Sequence, residues 1–124
     1  MSNELQAKWE RYVSAWRMAS VAEKRETFRS CLAPDCVYTD PLVVARGWDE
    51  LEKYMLGFHE QIPGGHFVTQ QFFAHHGQSV ARWKMLSREG ATLGEGISYA
   101  EYDPQARLTK MTGFFDPSPG AEPA

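Results

Sequence analysis

The sequence has no apolar run near the ~20 residues that a membrane helix needs. Its first residues, MSNELQAKWERY, are charged and lack the apolar core of a secretory signal, which excludes that reading of the N-terminus. Cysteine is scarce: Cys31 and Cys36 alone cannot form a disulfide framework, and they suit a reducing cytoplasm as free thiols. The four histidines make no zinc-ligand spacing with them, and there is no glycine-rich phosphate loop, so neither metal nor cofactor is expected. Lys and Arg number 13 against 16 Asp and Glu, and no stretch concentrates them, which excludes a nucleic-acid footprint. Internal repeats and linkers are absent too.

What is present is an ordinary globular balance in 124 residues, with aromatics at 13%, enough for one domain with a real core. Leu5, Trp9, Tyr12, Val13 and Trp16 recur at helical spacing, with Asn3 as a cap. Ser20 followed by Glu23 has the capping-box form and predicts a second helix over 21–32, ended by Pro34 and Asp35. CVYTD is a short strand, PLVVARG a possible second, and Trp48, Leu51, Met55, Phe58 and Ile62 mark a third helix stopped by PGG. Four strands follow: HFVTQQFFAH, SVARWKMLS, LGEGISYAEYD and RLTKMTGFFD. Helices first and a strand meander last predict an α+β fold, an antiparallel sheet wrapped over three N-terminal helices. One domain occupies 1–116, and PSPGAEPA closes the chain as a loose tail over 117–124.

Alternation assigns the strand faces. Trp83 and Met85 point inward because the opposite face carries Arg82 and Lys84. Met111, Gly113 and Phe115 share one face of the last strand. In the strand before it, Gly94, Gly96, Ser98, Ala100 and Tyr102 form an almost wholly small face, which either leaves ligand room or admits bending and close packing. An inner surface of aromatics and methionine fits a plain core or an apolar pocket. The candidate ligand-binding residues are therefore Trp83, Met85, Ser98, Tyr102, Met111 and Phe115.

The order of elements, with RYVSAW in the first helix, DCVYTDPLVVARG at the first strand and EYDPQARLTKMTGFFD at the end, resembles the nuclear transport factor two-like superfamily. Within it the chain is most similar to the SnoaL-like group, relatives of polyketide cyclases and ketosteroid isomerase. The resemblance implies a cone-shaped, strongly curved sheet with an internal pocket. It also implies a general-base aspartate at Asp40, in an Asp-Pro pair at a strand end, and an oxyanion-binding tyrosine at Tyr12. Ser98 stands where the isomerase has a protonated acid, and Arg82 lacks the nearby acid of an epoxide hydrolase relative. Read on its own, Asp40 is equally a strand stop whose carboxylate caps a turn, and Tyr12 a core tyrosine.

Two functions follow as expectations. One is a cofactor-independent enzyme of isomerase, cyclase or lyase type, moving a proton on a small hydrophobic molecule with Asp40 as base. The other is a non-catalytic binding or dimerisation module, with the cavity filled or merely occupied. Either is expected as a homodimer through the outer sheet face near Phe114, Lys110 and Thr112. His66 is placed at a rim, and His75 and His76 in a solvated hairpin turn.

Overall fold

A computed structural model of the protein describes residues 2–117, with side chains from Glu4 onward. The expected tail beyond Pro117 and the side chain of Asn3 lie outside the described residues. Three helices are followed or interrupted by six strands: α1 (Ser2–Ala15), α2 (Val21–Cys31), β1 (Leu32–Asp40), β2 (Val43–Arg46), α3 (Gly47–Gln61), β3 (His66–His75), β4 (Gln78–Leu86), β5 (Thr92–Tyr102) and β6 (Leu108–Phe114). Among the described residues, no helix is long and apolar enough to cross a membrane.

α1 forms because its apolar residues share one face: Trp9, Tyr12 and Ala15 are all buried, and Trp16, just past its end, is buried with them. The Ser20 hydroxyl caps α2 by accepting the Glu23 N–H at 3.3 Å, as the Ser-x-x-Glu spacing predicts. α2 stops at Cys31, and Leu32 is already extended. β1 is thus longer than the expected CVYTD and contains Pro34 and Asp35 within it. Its register against β6 slips between Leu32 and Val37, so the missing Pro34 N–H falls in an irregular stretch of the ladder.

The six strands make one open, curved sheet in the order β2-β1-β6-β5-β4-β3. Each chain-consecutive pair within β3–β6 is antiparallel, as tight connections require. The β1–β6 pair is parallel, a departure from the wholly antiparallel sheet expected from the sequence. The reason is that the chain leaves β1 through a hairpin and α3, runs the meander, and returns β6 to the free side of β1. Register slips in β3 between Thr69 and Gln71, and near the ends of β4 and β5, mark where the sheet bends. The helices fill the concave side. α1 packs on α2 and β3, and α3 on β1 and β2. The Trp9 indole N–H donates to Thr69 Oγ1 at 3.2 Å and fastens α1 to β3. Phe28, Leu32, Leu51, Met55, Leu108 and Met111 form the fully buried base of the cone.

Lys24 is unusual in this base. Its side chain is completely covered, and its ammonium donates to the Ala15 carbonyl at 2.7 Å, at the C-terminal end of α1 where such a charge is favoured. Burial lowers its pKa to about 8, against a partial opposing pull from Glu52. His59 lies near enough for burial, and then the Lys24 charge, to lower its own pKa, and its Nε2 has no partner among the described residues. Between pH 8 and 10.5 the unfolded chain holds a proton on Lys24 that the folded chain has released, so the Lys24 contribution to stability rises with pH across that window. Cys31 and Cys36 oppose it from about pH 9, and the five tyrosines above pH 10, because all have raised pKa values when folded. The Lys24 contribution is therefore read as a difference: the Tm of wild type relative to Lys24→Met should rise from about pH 8 to 10. At pH 7 Lys24→Met should melt no lower than wild type, because a buried charge gives way to an apolar chain of similar length. A difference in Tm that does not change with pH would contradict this reading.

Candidate active site

β1 delivers the site by simple alternation. Tyr38 and Asp40, two residues apart, project from the same face of the strand into the cone. The Tyr38 hydroxyl donates to Asp40 Oδ2 at 2.6 Å. Tyr54, from α3, donates to the same oxygen at 2.9 Å. Asp40 Oδ1 accepts the Leu42 N–H at 2.8 Å, the turn-capping bond expected of Asp before Pro. The two sequence readings of Asp40 are thus compatible: one oxygen ends the strand, and the other gathers two phenols inside the cavity.

The cavity measures about 790 Å³. Its walls are mainly apolar, with a third of the lining residues aromatic. Trp16 is the hub, with ring centroids 5.5 Å from Tyr38, 5.9 Å from Tyr54, 5.7 Å from Phe58 and 5.6 Å from Phe67. Phe67 meets Trp83 edge to face at 5.2 Å, and Trp83 meets Phe115 at 6.1 Å. These edge contacts brace the rings against one another around an open space.

Glycines decide the floor. A Cβ on Gly113 would stand 3.6 Å from Asp40 Cβ, 3.7 Å from the Tyr38 hydroxyl and 3.8 Å from Ser98 Oγ. The bare backbone of β6 therefore underlies the point where these three groups converge. Gly96 has a different reason: a Cβ there would come within 2.3 Å of the Trp83 ring. At that position the small face of β5 serves close packing, and Trp83 takes up the room. The indole N–H of Trp83 in turn donates to Ser98 Oγ at 3.0 Å.

Burial pushes the Tyr38 phenol well up, and its neighbours Tyr12 and Asp40 push the same way. Burial and the bond to Asp40 raise Tyr54. Tyr12 is raised mainly by burial. All three phenols are neutral at any physiological pH, and Tyr38 and Tyr54 face the carboxylate as donors, never as competing anions.

Of the eight candidate residues, six line the cavity: Asp40, Tyr12, Trp83, Met85, Ser98 and Phe115. Tyr12 makes no hydrogen bond to Asp40; its ring lies between Trp9, which is tilted against it at 5.2 Å, and Trp16, which it meets edge to face at 6.5 Å. The expected places of Tyr102 and Met111 in the lining need correction. Met111 is buried in the base, paired in register with Tyr38 and Ala100. Tyr102 lies toward the other end of β5 and shares its hydroxyl with Ser79 at 2.9 Å, beside the His75–His76 hairpin. Both have the inward parity expected, but the helices close over the sheet before it reaches them. His66, His75 and His76 are outside the lining as well. Sequence reasoning missed Tyr38 and Tyr54. The first was signalled by its place two before Asp40, and the second by its place three after Leu51 on the inward face of α3.

The sequence matches the model of the SnoaL-like domain over residues 9–112, and the chain belongs to that family. Among solved structures, it is similar to a candidate isomerase of the SnoaL-like family from Agrobacterium tumefaciens, at 20% identity and a TM-score of 0.84, covering 92% of this chain and 98% of that one. It is also similar to a candidate SnoaL-like polyketide cyclase from a Jannaschia species, at 11% identity and a TM-score of 0.74, covering 92% and 86%. A de novo designed protein with a curved β-sheet matches at 11% identity and a TM-score of 0.72, covering 94% and 88%. A search of curated proteins gives no match. At these identities the neighbours speak for the fold, and the designed one makes plain that the fold exists without an evolved reaction.

Proposed function

We propose that the chain binds a small, largely apolar, ring-bearing molecule in the aromatic cavity and moves a proton on it, with Asp40 as general base. The observation that carries this is a carboxylate held at the polar end of an apolar cavity by Tyr38, Tyr54 and the Leu42 amide. A carboxylate offers about four acceptor positions, and these bonds take three, leaving one for a proton of the ligand. Asp40 takes that proton from a carbon beside a carbonyl. The electron pair moves to the carbonyl oxygen, which receives a hydrogen bond from the neutral Tyr12 phenol or from the Ser98 hydroxyl. Ser98 accepts from Trp83 and keeps its own proton to donate. Return of the proton to another carbon is isomerisation, attack of the enolate on a second carbonyl is cyclisation, and expulsion of a β-substituent is a lyase step. Asp40 gives up part of its bonding to the phenols when it is protonated, so an activated C–H, vinylogous or flanked by two carbonyls, suits it best.

A second reading is binding without turnover. Ser98 favours it, since a hydroxyl stands where the isomerase resemblance calls for a protonated acid. Solvent-deuterium incorporation into 2-tetralone, followed by NMR, separates the two. Catalysis requires wild-type acceleration that Asp40→Asn reduces by about 100-fold or more. Undiminished exchange in that variant contradicts the general-base role, and binding without any acceleration supports the second reading.

In either case the chain pairs with a second copy through the outer face of its sheet. Phe73 and Phe114 are 67% and 59% exposed there, beside their register partners Val80 and Ile97. Burial raises Cys31 to about 12 and Cys36 to about 11, so both remain protonated, unreactive thiols, in keeping with a cytoplasmic protein. Light scattering should give a mass twice the 14.1 kDa of the chain, and Phe114→Lys should halve it. A monomeric wild type overturns the pairing.

A further inference from the structure

We infer that the cavity selects by charge: it takes an apolar ring system carrying a protonated amine and turns away a carboxylate or phosphate of the same shape. The inference rests on the cavity reading above and narrows its ligand class; an ammonium seated on Asp40 takes the acceptor position that proton transfer would use, so it belongs with binding and not with turnover.

Asp40 supplies the first half of the argument. It is half-buried, and no Lys, Arg or His forms an ion pair with it among the described residues. Its charge is met by neutral donors only, two phenols and an amide. A carboxylate withdrawn from water and left without a cation is a place where an incoming ammonium gains most. The walls supply the second half. The rings of Trp16, Tyr38, Tyr54 and Trp83 present π-faces and edges to the same space, and ring faces attract cations. Among the described lining residues, Lys53 is the single lysine or arginine, and it is exposed. Glu50, Glu95 and Asp116 are exposed in the same way, which leaves Asp40 as the one half-buried charge among the described lining residues.

An anion meets the opposite conditions. Among the described lining residues there is no guanidinium fork to clasp a carboxylate or phosphate. Two of the phenol donors that could serve an anion already serve Asp40. A second negative charge would be drawn into the same low-dielectric space as the first.

The test needs three probes of one shape and different charge: 2-naphthylmethylammonium, 2-naphthylmethanol and 2-naphthoate. Binding at pH 7.5 is read by calorimetry and by quenching of indole fluorescence, since Trp9, Trp16 and Trp83 line the cavity. The expected order is ammonium tighter than alcohol by about tenfold or more, and naphthoate weaker than alcohol by a similar factor. Asp40→Asn should abolish the advantage of the ammonium over the alcohol. Naphthoate binding as tightly as the ammonium overturns the inference, as does an ammonium advantage that survives in Asp40→Asn. The wild-type series decides the matter even if the variant fails to fold. If the alcohol binds and the ammonium gains nothing, charge selection falls while the cavity reading stands. If none of the three binds, both fall together.

Discussion

A carboxylate drawn into an aromatic cavity must have its charge met, and Asp40 meets it with the hydroxyls of Tyr38 and Tyr54 and the Leu42 amide. Much of the surrounding structure follows from that requirement. β1 has to end at Asp40 with Tyr38 in phase. α3 has to cross at a height that brings Tyr54 to the same oxygen. β6 passes beneath with the bare backbone of Gly113 next to the cluster. Trp16 then packs against both tyrosines and holds their rings, while Pro41 and the Leu42 amide fix the direction of the carboxylate from the strand side. The cluster is thus supported by two strands and two helices, so its geometry depends on the whole cone and not on a loop.

Most of the architecture could be read from the sequence because its signals are local. Helix faces in 5–16 and 48–62, the Ser20 cap, and the glycine and proline breaks carry their own explanation. The parallel β1–β6 pair could not be read this way, since no local pattern states which strand a returning chain will join. The same limit applied to the start of β1. Pro34 looks like a break between elements, yet a slipped register accommodates it inside a strand.

The site was legible in part for related reasons. Asp40 stood out because Asp-Pro at a strand end is a conspicuous pair. Tyr38 was visible in principle through strand parity. Tyr54 was hidden because a helix face says which residues point inward but not which strand residue each will meet. Parity alone also misplaced Met111 and Tyr102: inward-facing side chains become cavity lining or core according to how far the helices cover the sheet. The glycines of β5 show the same dependence on tertiary contacts. Gly96 reads equally as ligand room or as close packing from the sequence, and the Trp83 indole that lies over it makes it close packing. Membership of the SnoaL-like family narrows the fold and leaves the chemistry to these few side chains.

The hydrogen-bonded carboxylate is open to direct observation. Phenolic protons shared with a carboxylate at the short distances found here resonate downfield of the amide envelope and exchange slowly enough to be seen in cold water. The proton NMR spectrum of the wild type should contain two such resonances. Tyr38→Phe and Tyr54→Phe should each remove one, and Asp40→Asn should remove both. A spectrum without them, or one in which they persist after Asp40→Asn, would contradict the arrangement on which the site depends.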